Sequence, residues 1–69
     1  MKHLTRKQRD ALAFIKNFQI ENEYSPSYDE IGAALGLSKS GVHRLVTGLE
    51  TRGAVRRFPR LARAIEVLQ

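Results

Sequence analysis

The chain contains no cysteine and no tryptophan, and proline occurs only twice. Without cysteine, neither a disulfide nor a thiolate metal site can staple the fold. Apolar runs stop after a few residues, too short to span a bilayer. The N-terminal "MKHLTRKQRD" lacks the apolar stretch of a secretory signal, so the product is expected in the cytoplasm. Acidic residues are also scarce where they matter. Residues 36–69 carry Glu50 and Glu66 against Lys39, Arg44, Arg52, Arg56, Arg57, Arg60 and Arg63. Residues 1–35 are balanced, so the whole net charge of +5 sits in the second half. Such asymmetry points to a polyanionic partner, with a merely solvated basic surface as the plain alternative.

Catalytic chemistry lacks its parts too. The two histidines, His3 and His43, lie forty residues apart, and the carboxylates fall mostly on helix surfaces. No nucleophile–base pair, glycine-rich phosphate loop or metal-ligand cluster can be assembled from these residue types and spacings. The sequence therefore implies no enzyme, no cofactor, no metal and no small-molecule ligand.

What is present is a small hydrophobic pattern. At 69 residues the chain is one domain, residues 1–69. A chain of this size buries only about 60% of its unfolded surface. Its 42% hydrophobic content nevertheless suffices for a compact fold rather than a disordered one. Thr5 and Gln8 in "TRKQ" form a capping box that opens a helix over about 5–22. Leu4, Ala11, Ile15 and Phe18 make its inner stripe, with Leu12 and Phe14 on the flanks. Pro26 breaks the pattern, and Ser27 with Glu30 in "SYDE" opens a second, short helix over about 28–35. Ile31, Ala34 and Leu35 are expected inward, and Gly36 ends the helix. Ser38 caps a third helix over about 39–52, closed by Gly53. The tail "AVRRFPRLARAIEVLQ" reads as a hairpin over about 54–67, with Val55, Ile65 and Val67 at strand spacing. The expected class is mainly α with a small β-hairpin, a winged helix-turn-helix of three helices and a two-stranded wing.

The third helix carries the information. On a helical wheel Val42, Leu45, Val46 and Leu49 form one apolar face. Ser40, Arg44, Thr47 and Thr51 lie opposite, with His43 and Gly48 on the borders and Glu50 turned away. Hydroxyls suit phosphates and base edges, and arginine binds guanine O6 and N7 bidentately. A turn of about three residues joins helices two and three, which is the helix-turn-helix spacing. The basic hairpin that follows, with Arg56, Arg57, Arg60 and Arg63, reads as a flexible ribbon placed for phosphates. Lys39 at a helix start opposes the helix dipole, a conflict that a nearby phosphate relieves. His43 reads either as a phosphate contact or as packing. Tyr28 is expected to pack.

Gly41 and Gly48 share one edge of this helix although each interior glycine costs about 1 kcal/mol relative to alanine. The missing side chains let another backbone approach. Helix packing is the expected reason for Gly41, and a close DNA backbone for Gly48.

Taken in order, "LTRKQRDALAFIKNF", "EYSPSYDEIGAALGL", "VHRLVTGLETRG" and "RAIEVL" resemble the N-terminal winged helix-turn-helix domain of the LexA repressor family. "SKSGVHRL" is also similar to the recognition helices of other winged-helix regulators. The resemblance implies a dimeric bacterial or phage transcription regulator, a repressor, bound to a palindromic operator in the nucleoid. It maps the base-contacting segment onto Ser38, Ser40, Gly41, His43 and Arg44. Three departures stand. The family's self-cleaving peptidase part is not in these residues, which implies either a cut-out domain or a free-standing regulator without autocleavage. The turn before the third helix is one residue shorter than the family pattern, so no operator sequence carries over. Phe58 and Leu61 sit at the hairpin tip where polar residues are expected. They either fold back on the hairpin or act as a minor-groove wedge or protein contact. A protein-interaction module docking on RNA polymerase or another regulator is the alternative function, and a non-specific nucleic-acid binder a third.

Overall fold

Three hydroxyl side chains set where the helices start. The computed structural model describes residues 3–58, 63 and 65–68, and α1 runs from Arg6 to Asn22. The Thr5 hydroxyl accepts from the Gln8 backbone N–H at 3.1 Å, and the Gln8 side chain accepts from Thr5 N–H at 2.9 Å. Two orphan donors are thereby satisfied at once. α1 ends at Glu23, which takes a left-handed conformation at φ 64°. The second capping box is also formed. Ser27 and Glu30 exchange bonds of 3.2 and 2.8 Å at the start of α2, Tyr28–Leu35. Gly36, at φ 70°, closes that helix. Ser38 then caps α3, Lys39–Thr51, through a 3.2 Å bond from Gly41 N–H.

Strand β1 (Val55–Arg57) pairs antiparallel with β2 (Ile65–Val67). Val55 lies opposite Val67, Arg56 opposite Glu66, and Arg57 opposite Ile65. Three helices followed by a two-stranded hairpin make a winged helix-turn-helix, the class that the sequence predicts.

The core gathers one stripe from each element. Ala11, Leu12 and Ile15 of α1 meet Ile31 of α2, Val42, Val46 and Leu49 of α3, and Ala54, Val55 and Ile65 of the hairpin. Three assignments shift. Leu12 is a core residue rather than a flank, whereas Phe18 is half-buried and stacks edge-on with Tyr24, ring centroids 5.7 Å apart. In α2 the buried pair is Ile31 and Gly32, while Ala34 is exposed. The reason is the tight turn between α2 and α3. Leu37 N–H returns to the Gly32 carbonyl at 2.9 Å, which folds the turn over Gly32. A Cβ at Gly32 would lie 2.7 Å from the Leu37 carbonyl oxygen and 3.3 Å from a Val42 methyl. Only glycine fits there.

The wing is held at its base. Gln19 of α1 donates to the Ile65 carbonyl at 2.7 Å. Ser25 Oγ, in the loop between α1 and α2, accepts from Ile65 N–H at 3.3 Å. Leu68 N–H reaches the Ala54 carbonyl at 2.8 Å. The expectation of a flexible ribbon is corrected for this part of the hairpin. Its described base is bonded to α1 and to the α1–α2 loop.

Candidate nucleic-acid interface

The start of α3 is open to solvent. Ser38, Lys39, Ser40, His43 and Arg44 are all exposed, and Gly41 is half-buried among them. Ser38 Oγ and Ser40 Oγ lie 3.3 Å apart, within hydrogen-bond reach. With Tyr28, the residues Ser38, Lys39, Ser40 and His43 line a shallow groove at the helix N-terminus. The ring of His43 stands 6.3 Å from that of Tyr28, so His43 is bounded on one side and open on the other. Neither Lys39 nor Arg44 forms an ion pair among the described residues.

Glu50 is the only acid in α3, and its charge is engaged by the wing. Its carboxylate accepts from Arg57 N–H at 3.2 Å and from Arg57 Nε at 3.0 Å, with Nη2 at 2.9 Å. The backbone N–H and then the guanidinium of Arg57 hold the Glu50 carboxyl below its ordinary pKa. The exposed face of α3 therefore carries uncompensated positive charge at Lys39 and Arg44.

Thr47 departs from the expected face. It is half-buried, and its Oγ1 is buried with no hydrogen-bond partner among the described residues. α3 packs against α1, α2 and β1 together, so the arc they cover is wider than the apolar stripe itself. The helix-packing reason expected for Gly41 belongs to Gly48 instead. A Cβ at Gly48 would fall 2.7 Å from Gln8 Nε2, so Gly48 is where α1 crosses α3. A Cβ at Gly41 would make only ordinary contacts with Leu37 and Ser38, the nearest at 3.4 Å.

On the wing, the four arginines fare differently. Arg56 is exposed and reaches Glu66 across the ribbon at 3.5 Å. Arg57 is half-buried between Glu50 and the Tyr28 hydroxyl, which accepts from its Nη1 at 3.3 Å. The Tyr28 oxygen first, and then Glu50, raise the pKa of Arg57 further. Arg63 forks onto Glu30 at 2.6 and 3.2 Å, donates to the Ser25 carbonyl at 3.2 Å, and lies 4.7 Å above the Tyr24 ring. Arg60 lies outside the described residues, as does Leu61; Phe58 is 41% exposed. Residue spacing gave no sign of these tethers. Glu50 and Glu30 meet arginines seven and thirty-three positions away, a relation only the tertiary fold creates.

A helix-turn-helix with an open basic face suits many regulators, and the family comparison narrows the choice. The sequence model of the LexA DNA binding domain matches residues 1–64. The chain belongs to the LexA DNA-binding domain family. The match takes in α1, α2, α3 and β1, and so both halves of the helix-turn-helix. This LexA-type domain is a DNA-binding module whose partner is DNA. Among its described residues no helix is long and apolar enough to cross a membrane.

Proposed function

We propose that this LexA-type domain is a sequence-specific regulator of transcription, a repressor, that reads the major groove with α3 and binds a palindromic operator as a homodimer. One observation carries the reading. The exposed N-terminal face of α3 holds Lys39, Ser40, His43 and Arg44 with no acid among them, and the tight turn at Gly32 and Leu37 fixes it against α2. The recognition helix of such a motif enters the groove N-terminus first. Ser38, Lys39, Ser40, Gly41 and His43 sit where phosphates and base edges come within reach, and Arg44 is the candidate for bidentate guanine readout. Thr47, half-buried with its hydroxyl covered, stands at the edge of this set. Arg56 supplies a phosphate contact from the wing, and Arg60 is assigned to the same task from sequence. Function follows from differential binding of duplexes, in the cytoplasm at the nucleoid, with no chemistry performed on the DNA.

Selection of bound sequences from a random duplex pool tests this reading. Enrichment of a palindrome is the expected result. Binding without enrichment would favour a non-specific binder. Absence of binding would favour a protein-docking module, a reading to which exposed Phe58 (41%) and Leu68 (46%) lend support.

A further inference from the structure

Arg57 and Arg56 are neighbours on one strand, yet the fold treats them in opposite ways. Arg56 points to solvent, its side chain 60% exposed, with a single long contact to Glu66. The Arg57 side chain is 22% exposed and bonded at three nitrogens. Its own backbone N–H also donates to the Glu50 carboxylate, so both ends of the residue are fixed by one partner. Through Glu50 it grips the last turn of α3, and through the Tyr28 hydroxyl it grips the first residue of α2. Tyr28 in turn stands beside His43 on the groove face.

We infer that Arg57 is a positioning residue. The Glu50–Arg57–Tyr28 assembly locks the wing to both helices of the helix-turn-helix and so sets the offset between Arg56 and the reading face of α3. This rests on the proposed DNA reading and changes one part of what the sequence suggests, where Arg57 is a phosphate anchor. An arginine leaving Glu50 for a phosphate would exchange one charge-assisted hydrogen-bond set for another, with little net benefit. It would also strand Glu50 beside a polyanion. Arg56 has no such constraint.

The test is binding to a mixed-sequence DNA duplex across a range of salt. Each lost phosphate contact flattens the slope of log K against log salt by about 0.9. Arg56→Ala is expected to flatten it by that amount. Arg57→Ala is expected to lower affinity about tenfold, as for the loss of a charged hydrogen-bond set, and to leave the slope unchanged. Arg57→Lys keeps the charge but lacks the planar fork, so it should behave like the alanine variant. Glu50→Gln is expected to weaken binding as well, although it removes a negative charge near the DNA. Tyr28→Phe, which deletes only a hydroxyl, should shift binding the same way by a smaller factor. Tightened binding by Glu50→Gln, or wild-type binding by Arg57→Lys, would overturn the inference.

A second readout needs no DNA. Backbone heteronuclear relaxation of the free protein should show Val55–Arg57 and Ile65–Val67 gaining fast motion in Arg57→Lys and Glu50→Gln while α1 stays rigid. Unchanged wing relaxation in both variants would also overturn it. If the wild-type protein bound no duplex at all, the DNA reading would fall, and this measurement would still decide the clamp.

Discussion

Arg44 sits in the open middle of the α3 face, and the one acid of its helix, Glu50, is already engaged by Arg57. Replacing it with alanine is expected to cost about 1–3 kcal/mol on the preferred duplex and to relax the preference at one position. Titration of the selected duplex and its single-base variants checks both effects; unchanged affinity and preference would put α3 in the wrong place. Glu30 makes a different kind of prediction, in pH. Hydrogen bonds from Arg63, and then from the Ser27 backbone, lower its carboxyl from 4.5 to about 2. A folded-state pKa below the unfolded one adds stability that is fully present above pH 4.5 and is lost as the pH falls toward about 2. Glu30→Gln retains an acceptor for Ser27 N–H but not the charge that meets Arg63. Its melting temperature should lie below wild type near neutral pH and converge with it in acid. A gap that stays constant across the same range would dismiss the ion pair as the cause.

At the scale of elements, the helix starts were legible because capping is local. Thr5 with Gln8, and Ser27 with Glu30, are each three residues apart and needed no tertiary information. Close approaches between elements were not legible. Gly32 looks ordinary in "EIGAAL", yet the turn carbonyl of Leu37 occupies the place of its side chain. Gly32→Ala should therefore destabilise the domain by about 1–3 kcal/mol, the usual cost of overpacking, since a backbone atom has to give way. Thermal or urea denaturation monitored by circular dichroism measures it. Gly48→Ala meets only the flexible end of Gln8, but that end belongs to the α1 capping box, so the milder loss expected there should fray α1 first. The wing arginines mark the same limit. Composition showed a basic ribbon, and only the fold showed Arg57 and Arg63 already engaged by Glu50 and Glu30.

The molecule as a whole is 28 Å along its longest axis. Half-sites on one face of B-form DNA are about 34 Å apart, so a single copy cannot present its reading helix to two of them. Two copies per palindrome are the expected stoichiometry, measurable by sedimentation of the protein–duplex complex. Inserting about five base pairs, half a helical turn, between the half-sites should rotate one copy to the far side and cut affinity sharply. Equal binding to both spacings would instead mean independent monomers. The charge distribution serves the same arrangement, since the positive excess lies on α3 and the wing, while residues 1–35 balance.

Ser25 links scales that otherwise look separate. It is a loop residue only 5% exposed, its hydroxyl takes the Ile65 N–H, and its carbonyl takes a bond from Arg63. Surface loops ordinarily open on their own, with the lowest local stability in a domain. This one cannot open without breaking the bonds that tie Ser25 to Ile65 of β2 and to Arg63. Loop and wing are therefore expected to unfold as one cooperative unit. In native-state hydrogen exchange the Ile65 amide and the loop amides should share a single opening free energy and a common denaturant dependence. A Ser25→Ala change would split that shared event in two.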